Sequence, residues 1–247
     1  MPQAPVFLTA EWRDLVMLNY EVPPETLKSR VPPGTELDVW QGRTLVSLVG
    51  FRFLNTRVLG IPVPFHRDFE EVNLRFYVRH KSGNEWRRGV VFVQEIVPKS
   101  AIAWVARTLY NENYVSLPMR HRVIPPGISE AGAGIAEYGW RLGGRWYRLA
   151  AHIQGAPAIP PAGSEEEFIT EHYWGYALQR NGSSLEYQVE HPQWAVWSAS
   201  EAVFEGDAGP LYGPEFAPYL AGPPLSAFVA VGSPISVRRG LLAAPGV

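Results

Sequence analysis

Apolar and polar positions alternate cleanly along Phe69–Val78, read FEEVNLRFYV. Val72, Leu74, Phe76 and Val78 share one side, and Glu71, Asn73, Arg75 and Tyr77 share the other. The pattern predicts one strand with an ordinary core face. Its second face, an acid, an amide, a guanidinium and a phenol in a row, commonly meets solvent on a half-buried strand. Asn is depleted in strands, so Asn73 in mid-strand points to a hydrogen-bonding task. In a sheet that closes into a barrel, the same face lines the lumen.

The rest of the chain reads as further strands and hairpins. Leu15–Val22 is a strand ended by Pro23-Pro24, and Glu25–Arg30 is a short helical turn stopped by Pro32-Pro33-Gly34. Glu36–Trp40 and Arg43–Leu54 form a hairpin around Gln41-Gly42, and Gly50 marks a bulge or a close backbone approach. Gly89–Val97 is a strand, and Pro98–Tyr114 is the one notable helix, with Ser100 as its cap. On that helix Arg107, Tyr110 and Tyr114 share a flank apart from the core stripe. Pro118–Gly134 reads as irregular. Hairpins follow around Gly143-Gly144 and Asn181-Gly182, with a Ser164/Glu167 capping box between them. Strands at Trp194–Phe204 and Phe228–Val237 complete the pattern, with a helical turn near Phe216, and residues 238–247 form a frayed tail. About eleven strands, with no βαβ alternation, predict a mainly β, α+β chain with few helices: one antiparallel domain over residues 1–247.

Composition narrows the function classes. With 46% hydrophobic and 19% charged residues the chain can bury a full core. A net charge of -2 gives no electrostatic case for a nucleic-acid partner. There is no cysteine, which excludes disulfides, thiol catalysis and cysteine metal sites. No basic start precedes an apolar run, and no stretch reaches the ~18–20 residues of a membrane span, so a cytoplasmic protein without a membrane partner is expected. The nine tryptophans and eleven tyrosines are of the kind that line small-molecule pockets and, more often, fill cores. Trp12, Trp40, Trp140, Trp146 and Trp197 crowd a single core, which is compatible with a homo-oligomer.

Three stretches together resemble a known family. They are E-x-N-x-R-x-Y-V from Glu71 to Val78; GVVFVQEIVPKSAIAWVARTLYNENY, marked by Ala106-Arg107 and Tyr114; and FITEHYWGYALQRNGSSLEYQVEHPQW, ending at Trp194. The chain is similar, from about Phe7 to Val237, to the YqjF-like family of uncharacterised bacterial proteins, which resembles the β-barrel of acetoacetate decarboxylase. The resemblance implies a single closed or nearly closed β-barrel with an internal cavity. It implies no activity, because the family has no settled function. The decarboxylase forms an imine between a lysine and its keto acid, which needs a depressed amine pKa. The corresponding region here, Tyr110–Tyr114, holds no lysine, and Lys99 stands at the other end of the unit. Lys28 and Lys81 lie in turn-like contexts.

The candidate pocket residues are Glu71, Asn73, Arg75, Arg107, Tyr110, Tyr114 and His172. Arg75 and Arg107 would hold a carboxylate, with Glu71 or Glu112 buffering the charge; the competing reading is a structural ion pair of Glu71 with Arg75 or Arg107. His172, beside Glu171 and Tyr173, is the best single acid-base candidate. His191, in HPQW, reads as a turn anchor. The six histidines show no metal-ligand spacing, and no serine elbow, Walker loop or G-x-G-x-x-G occurs, so neither a metal nor a cofactor is expected. The leading expectation is a barrel that binds a small organic molecule such as an acid; the alternative is a lyase or hydrolase using the same pocket.

Overall fold

The structure is a computed structural model and describes residues 3–101, 112–127 and 133–243. Its strands are β1 (Val6–Glu21), β2 (Thr35–Leu37), β3 (Leu45–Val58), β4 (Ile61–Pro62), β5 (Phe69–Ser82), β6 (Glu85–Val97) and β7 (Tyr114–Ser116), followed by β8 (Met119–Ile124), β9 (Gly134–Leu142), β10 (Arg145–Ala158), β11 (Trp174–Leu178), β12 (Ser184–Glu190), β13 (Val196–Glu205), β14 (Ser226–Arg238) and β15 (Leu241–Leu242). Short helices are α1 (Pro24–Leu27), α2 (Glu165–Thr170), α3 (Gly209–Tyr212) and α4 (Ala217–Leu220). The chain is mainly β, and most neighbouring strands pair antiparallel; β7 and β11 run parallel to β6, a departure from the all-antiparallel expectation. Among the described residues no helix is long and apolar enough to cross a membrane.

The hydrogen-bonded path β12-β11-β6-β5-β3-β1-β14 returns to its start, because β12 also pairs with β14 through Val189–Val237 and Glu190–Ser236. From β14 the sheet continues through β13, β10, β9 and β8. That continuation packs on one side of β1, β3 and β5, burying Leu48, Val72, Leu74 and Phe76 against Tyr138, Trp140 and Leu149. On the other side of the same strands Leu15, Val49, Phe51, Phe69 and Tyr77 join Phe168, Trp194 and Ile235 in a second core. Both faces of β5 are therefore buried: Glu71 is 2% exposed, Asn73 1% and Arg75 8%. The solvated-face reading of this strand does not hold.

Several expected elements shift for tertiary reasons. β1 begins at Val6, well before Leu15, and kinks at Asp14, whose φ is +57°. The hairpin around Gln41-Gly42 shrinks to one bridge between Trp40 and Arg43; Thr35–Leu37 pairs with β5 instead. Asp38 draws it there: its amide donates to Tyr77 O (3.0 Å) and its carboxylate accepts from Arg88 (2.7 Å). Gly50 is a close approach, since a Cβ would stand 2.7 Å from Tyr138 Cδ2 and 2.9 Å from Leu149 Cδ2. The stretch read as irregular contains β8, an edge strand on β9 whose run of exposed basic residues, Arg120-His121-Arg122, carries no apolar alternation. Most of the expected Pro98–Tyr114 helix, with Arg107 and Tyr110, lies outside the described residues. Tyr114 is not its last turn: it opens β7, parallel to β6. Beyond Val237, Arg238 ends β14, and β15 pairs with Leu185 and Glu186 of β12, so the expected tail is held to the sheet as far as Ala243.

Candidate functional site

The second core encloses a cavity of about 290 Å³. This is near the small end of ligand sites, ~300 Å³. One part is aromatic: Trp12, Phe51, Phe53, Phe69 and Trp194 line it, with Phe53 stacked on Phe69 at 4.6 Å. The other part is polar and is built mainly on β5 and β6. Alternation along β5 turns Glu71, Asn73 and Arg75 inward. Asn73 sits opposite Glu95 of β6, and the register then slips, so that Arg75 faces Phe92. A bulge at this point explains how Glu95 and Phe92, three residues apart, both reach the cavity.

Three carboxyls meet there. Glu71 accepts from Asn73 Nδ2 at 3.0 Å and from the Tyr114 hydroxyl at 3.1 Å. Glu112 accepts from the Tyr187 hydroxyl at 3.1 Å. Glu95 Oε2 has no hydrogen-bond partner among the described residues, the nearby Tyr114 hydroxyl being turned to Glu71. Burial pushes the Glu71 carboxyl up to about 7, against the pull of Asn73, Tyr114 and the Arg75 charge. Burial raises Glu112 to about 8, with repulsion from Glu71 adding to it. Glu95 is driven well above the carboxylate range by burial and by the charges of Glu112 and Glu71.

Tyr187 reaches Glu112 because its neighbour across the β11–β12 ladder is Gly175: a Cβ there would lie 2.1 Å from Tyr187 Cζ. Gly175→Ala should therefore cost about 1–3 kcal/mol of stability in urea unfolding, well beyond Tyr187→Phe, which removes the hydroxyl without crowding. Parental stability in Gly175→Ala would show that the ring lies elsewhere.

Arg75 is placed differently from the carboxyls. Among the described residues its Nη2 approaches Met17 Sδ (3.9 Å) and Ile169 O (3.5 Å), its guanidinium lies 5.8 Å from the Tyr77 ring centroid, and its Nε has no partner. The ion pair of Glu71 with Arg75 weighed above is not formed; Glu71 is held by Asn73 and Tyr114 instead. His172 lines the cavity after α2, which Ser164 caps by accepting from Glu167 N (3.2 Å). Its partner is Asp38 rather than Glu171 or Tyr173, at 3.1 Å from Nε2. Burial lowers His172 to about 4, and burial plus the Arg75 charge does the same to His191. Burial opposes ionisation of Asp38, but hydrogen bonds from His172 and Arg88 outweigh it and hold its pKa below the usual value. The His172–Asp38 contact is thus a hydrogen bond from a neutral imidazole. It leaves Nδ1 as an acceptor with no partner.

The structure brings together Glu71, Asn73, Arg75, Tyr114 and His172 of the expected set. Sequence reasoning missed Glu95, Tyr187 and His191 as cavity residues. A lone Glu inside the apolar run VVFVQEIV was the available signal for Glu95. His191 does anchor a turn, with Nδ1 on Pro192 O (2.9 Å) and its ring 4.1 Å from Trp194, and it also lines the cavity. Among the described residues no group of three or more His, Asp or Glu side chains is arranged to hold a metal ion.

Residues 9–234 match DUF2071, described as an uncharacterized conserved protein. The chain belongs to the DUF2071 family. The uncharacterized protein YqjF of Bacillus subtilis is 27% identical over 199 residues, covering 78% of this chain and 76% of YqjF. Among solved structures, acetoacetate decarboxylase from Legionella pneumophila superposes with a TM-score of 0.67 at 14% identity, over 99% of this DUF2071 chain and 90% of the decarboxylase. The enduracididine biosynthesis enzyme MppR, complexed with pyruvate, gives 0.67 at 14% identity, over 99% and 93% of the two chains. These likenesses establish an acetoacetate-decarboxylase-like fold for the DUF2071 protein, as the sequence motifs implied.

Proposed function

We propose that the ring of strands is a closed barrel and that its cavity binds a short organic acid. One observation carries the reading: Arg75 presents a buried guanidinium to the cavity with no carboxylate partner among the described residues. A buried, unpaired cation is costly, and a bound carboxylate answers its charge and its fork of N–H donors. Glu71, Asn73, Tyr114 and His172 are the further polar contacts, and Arg107 and Tyr110 are their expected companions. The cavity volume suits a ligand of a few carbons, and MppR, of the same fold, is a pyruvate complex. Imine chemistry is not part of the reading: residues 110–114 hold no lysine, and Lys28, Lys81 and Lys99 do not line the cavity.

A lyase or hydrolase acting on the acid is the second reading. It is favoured by carboxyls with raised pKa values in the same cavity as a neutral His172, whose Nδ1 is left to accept a proton or hydrogen bond from a ligand.

Titration with pyruvate and other short acids, followed by tryptophan fluorescence, tests the proposal. Saturable binding is expected, with no mass adduct on any lysine after borohydride. Failure of every short carboxylic acid to bind would overturn it, and turnover of a bound acid with a pH profile altered in Glu71→Gln would establish the second reading.

A further inference from the structure

Four cavity-lining side chains each bury a polar atom without a partner among the described residues: Asn73 Oδ1, Glu95 Oε2, His172 Nδ1 and Arg75 Nε. Asn73 Oδ1 and His172 Nδ1 are acceptors, Arg75 Nε is a donor, and Glu95 Oε2 is an acceptor once its carboxyl ionises. The nearby donors are already engaged, with Tyr114 and Asn73 Nδ2 on Glu71 and Tyr187 on Glu112. A plain carboxylic acid brings only acceptors. It satisfies Arg75, leaves Asn73 and Glu95 unanswered, and adds negative charge beside three carboxyls.

We infer that the ligand is a small amino acid, its carboxylate on Arg75 and its ammonium received by Glu95 and Asn73. This rests on the organic-acid reading above and narrows it. Asn73 and Glu95 are direct neighbours across the β5–β6 ladder, about 5 Å apart at Cβ, so one ammonium can reach both. Arg75 lies two residues further along the same face of β5, about 7 Å away, which separates a cationic from an anionic end. An ammonium supplies three N–H donors to this acceptor-rich recess. It also corrects the charge: one carboxyl can ionise against it while Arg75 pairs with the ligand carboxylate.

The proton balance distinguishes the two ligand classes. Glu95 is faced by Glu71 on its neighbouring strand, by Glu112 just before β7 and by Tyr114 at its start, with Tyr187 of β12 behind them on Glu112. Arg75, with the neutral His172 and His191 close to it, lies on the other flank. A bound cation favours the ionised carboxyl and expels a proton. A bound anion favours the protonated carboxyls and expels none.

Calorimetric titration in two buffers of different ionisation enthalpy reads this directly. At about pH 7.5, alanine, β-alanine and 4-aminobutyrate are compared with propionate and butyrate. The best amino acid should bind at least about tenfold tighter than its des-amino partner, with release of about one proton. Glu95→Gln should reduce that preference to within about threefold and abolish the release, while butyrate binding persists as evidence of folding. If butyrate or propionate binds as well as the amino acids, or the amino acids release no proton, the inference fails and the organic-acid reading stands. If no acid of either class binds, the organic-acid reading fails and takes the inference with it.

Discussion

Above pH 6.5 the folded protein should lose stability steadily as pH rises, and Glu112→Gln should remove part of that loss. Glu71 and Glu112 have pKa values raised from 4.5 to about 7 and about 8, and burial with the charges of Glu112 and Glu71 also drives Glu95 well above 4.5. Between the ordinary and the raised value the native state holds a proton that the unfolded chain releases. Stability from these carboxyls is therefore complete below about pH 4.5 and drains away as pH climbs through 7 and 8, by about 1.4 kcal/mol per pH unit for each proton released on unfolding. His172 and His191 act with the opposite sign. Their pKa values fall from 6.5 to about 4, so the stability that comes from keeping them neutral is present above 6.5 and lost as pH falls toward 4. The two groups of side chains oppose each other between 4.5 and 6.5, and only the carboxyls operate above that. Gln at position 112 keeps an oxygen for Tyr187 and has no proton to lose. The variant should show a shallower alkaline decline and exceed its parent in stability at about pH 8. Urea-unfolding midpoints across this range decide it; a parent curve that is flat or rising between about pH 6.5 and 8.5 would contradict the buried-carboxyl account.

Arg75→Met should weaken binding of short carboxylic acids by at least about a hundredfold while leaving the unliganded protein as stable as its parent, or more so. The guanidinium is buried at 8% exposure, and its contacts with Met17 and Ile169 are long. Removing a desolvated charge that lacks a partner relieves a cost, and Met is an unbranched chain able to fill the same space. Glu71 loses the neighbouring cation that favours its ionised form, so it holds its proton more firmly, which does not add a buried charge. Arg75→Lys keeps the charge without the planar fork and should fall between the two in affinity. Urea unfolding together with fluorescence titration separates the effects. A strongly destabilised Arg75→Met protein that still binds acids would make Arg75 a structural residue and end its role as the acid's anchor.

Part of this architecture is legible residue by residue. The period of two along Phe69–Val78, the turns at Gly143-Gly144 and Asn181-Gly182, and the Ser164 cap each depend on neighbours within a few positions, and each stands in the structure where the pattern places it. Asn73 in mid-strand pointed to a polar task because its side chain suits neither the pleat nor an apolar face. Which face of β5 meets what is a different kind of question. Alternation divides the residues into two sets without saying what covers either. The return of β12 onto β14 wraps one set around a cavity, and the sheet from β13 to β8 folds over the other. Glu95 joins the site only through a slip of register between two strands, and β2 leaves its expected hairpin because Asp38 finds Arg88 and His172. Sequence by itself determined most of the long strands, the division of their residues into two sets and the family, since these follow from local periodicity and short motifs. Tertiary structure alone decided that three carboxyls and a guanidinium share one buried space, because that depends on pairings between segments far apart in the chain.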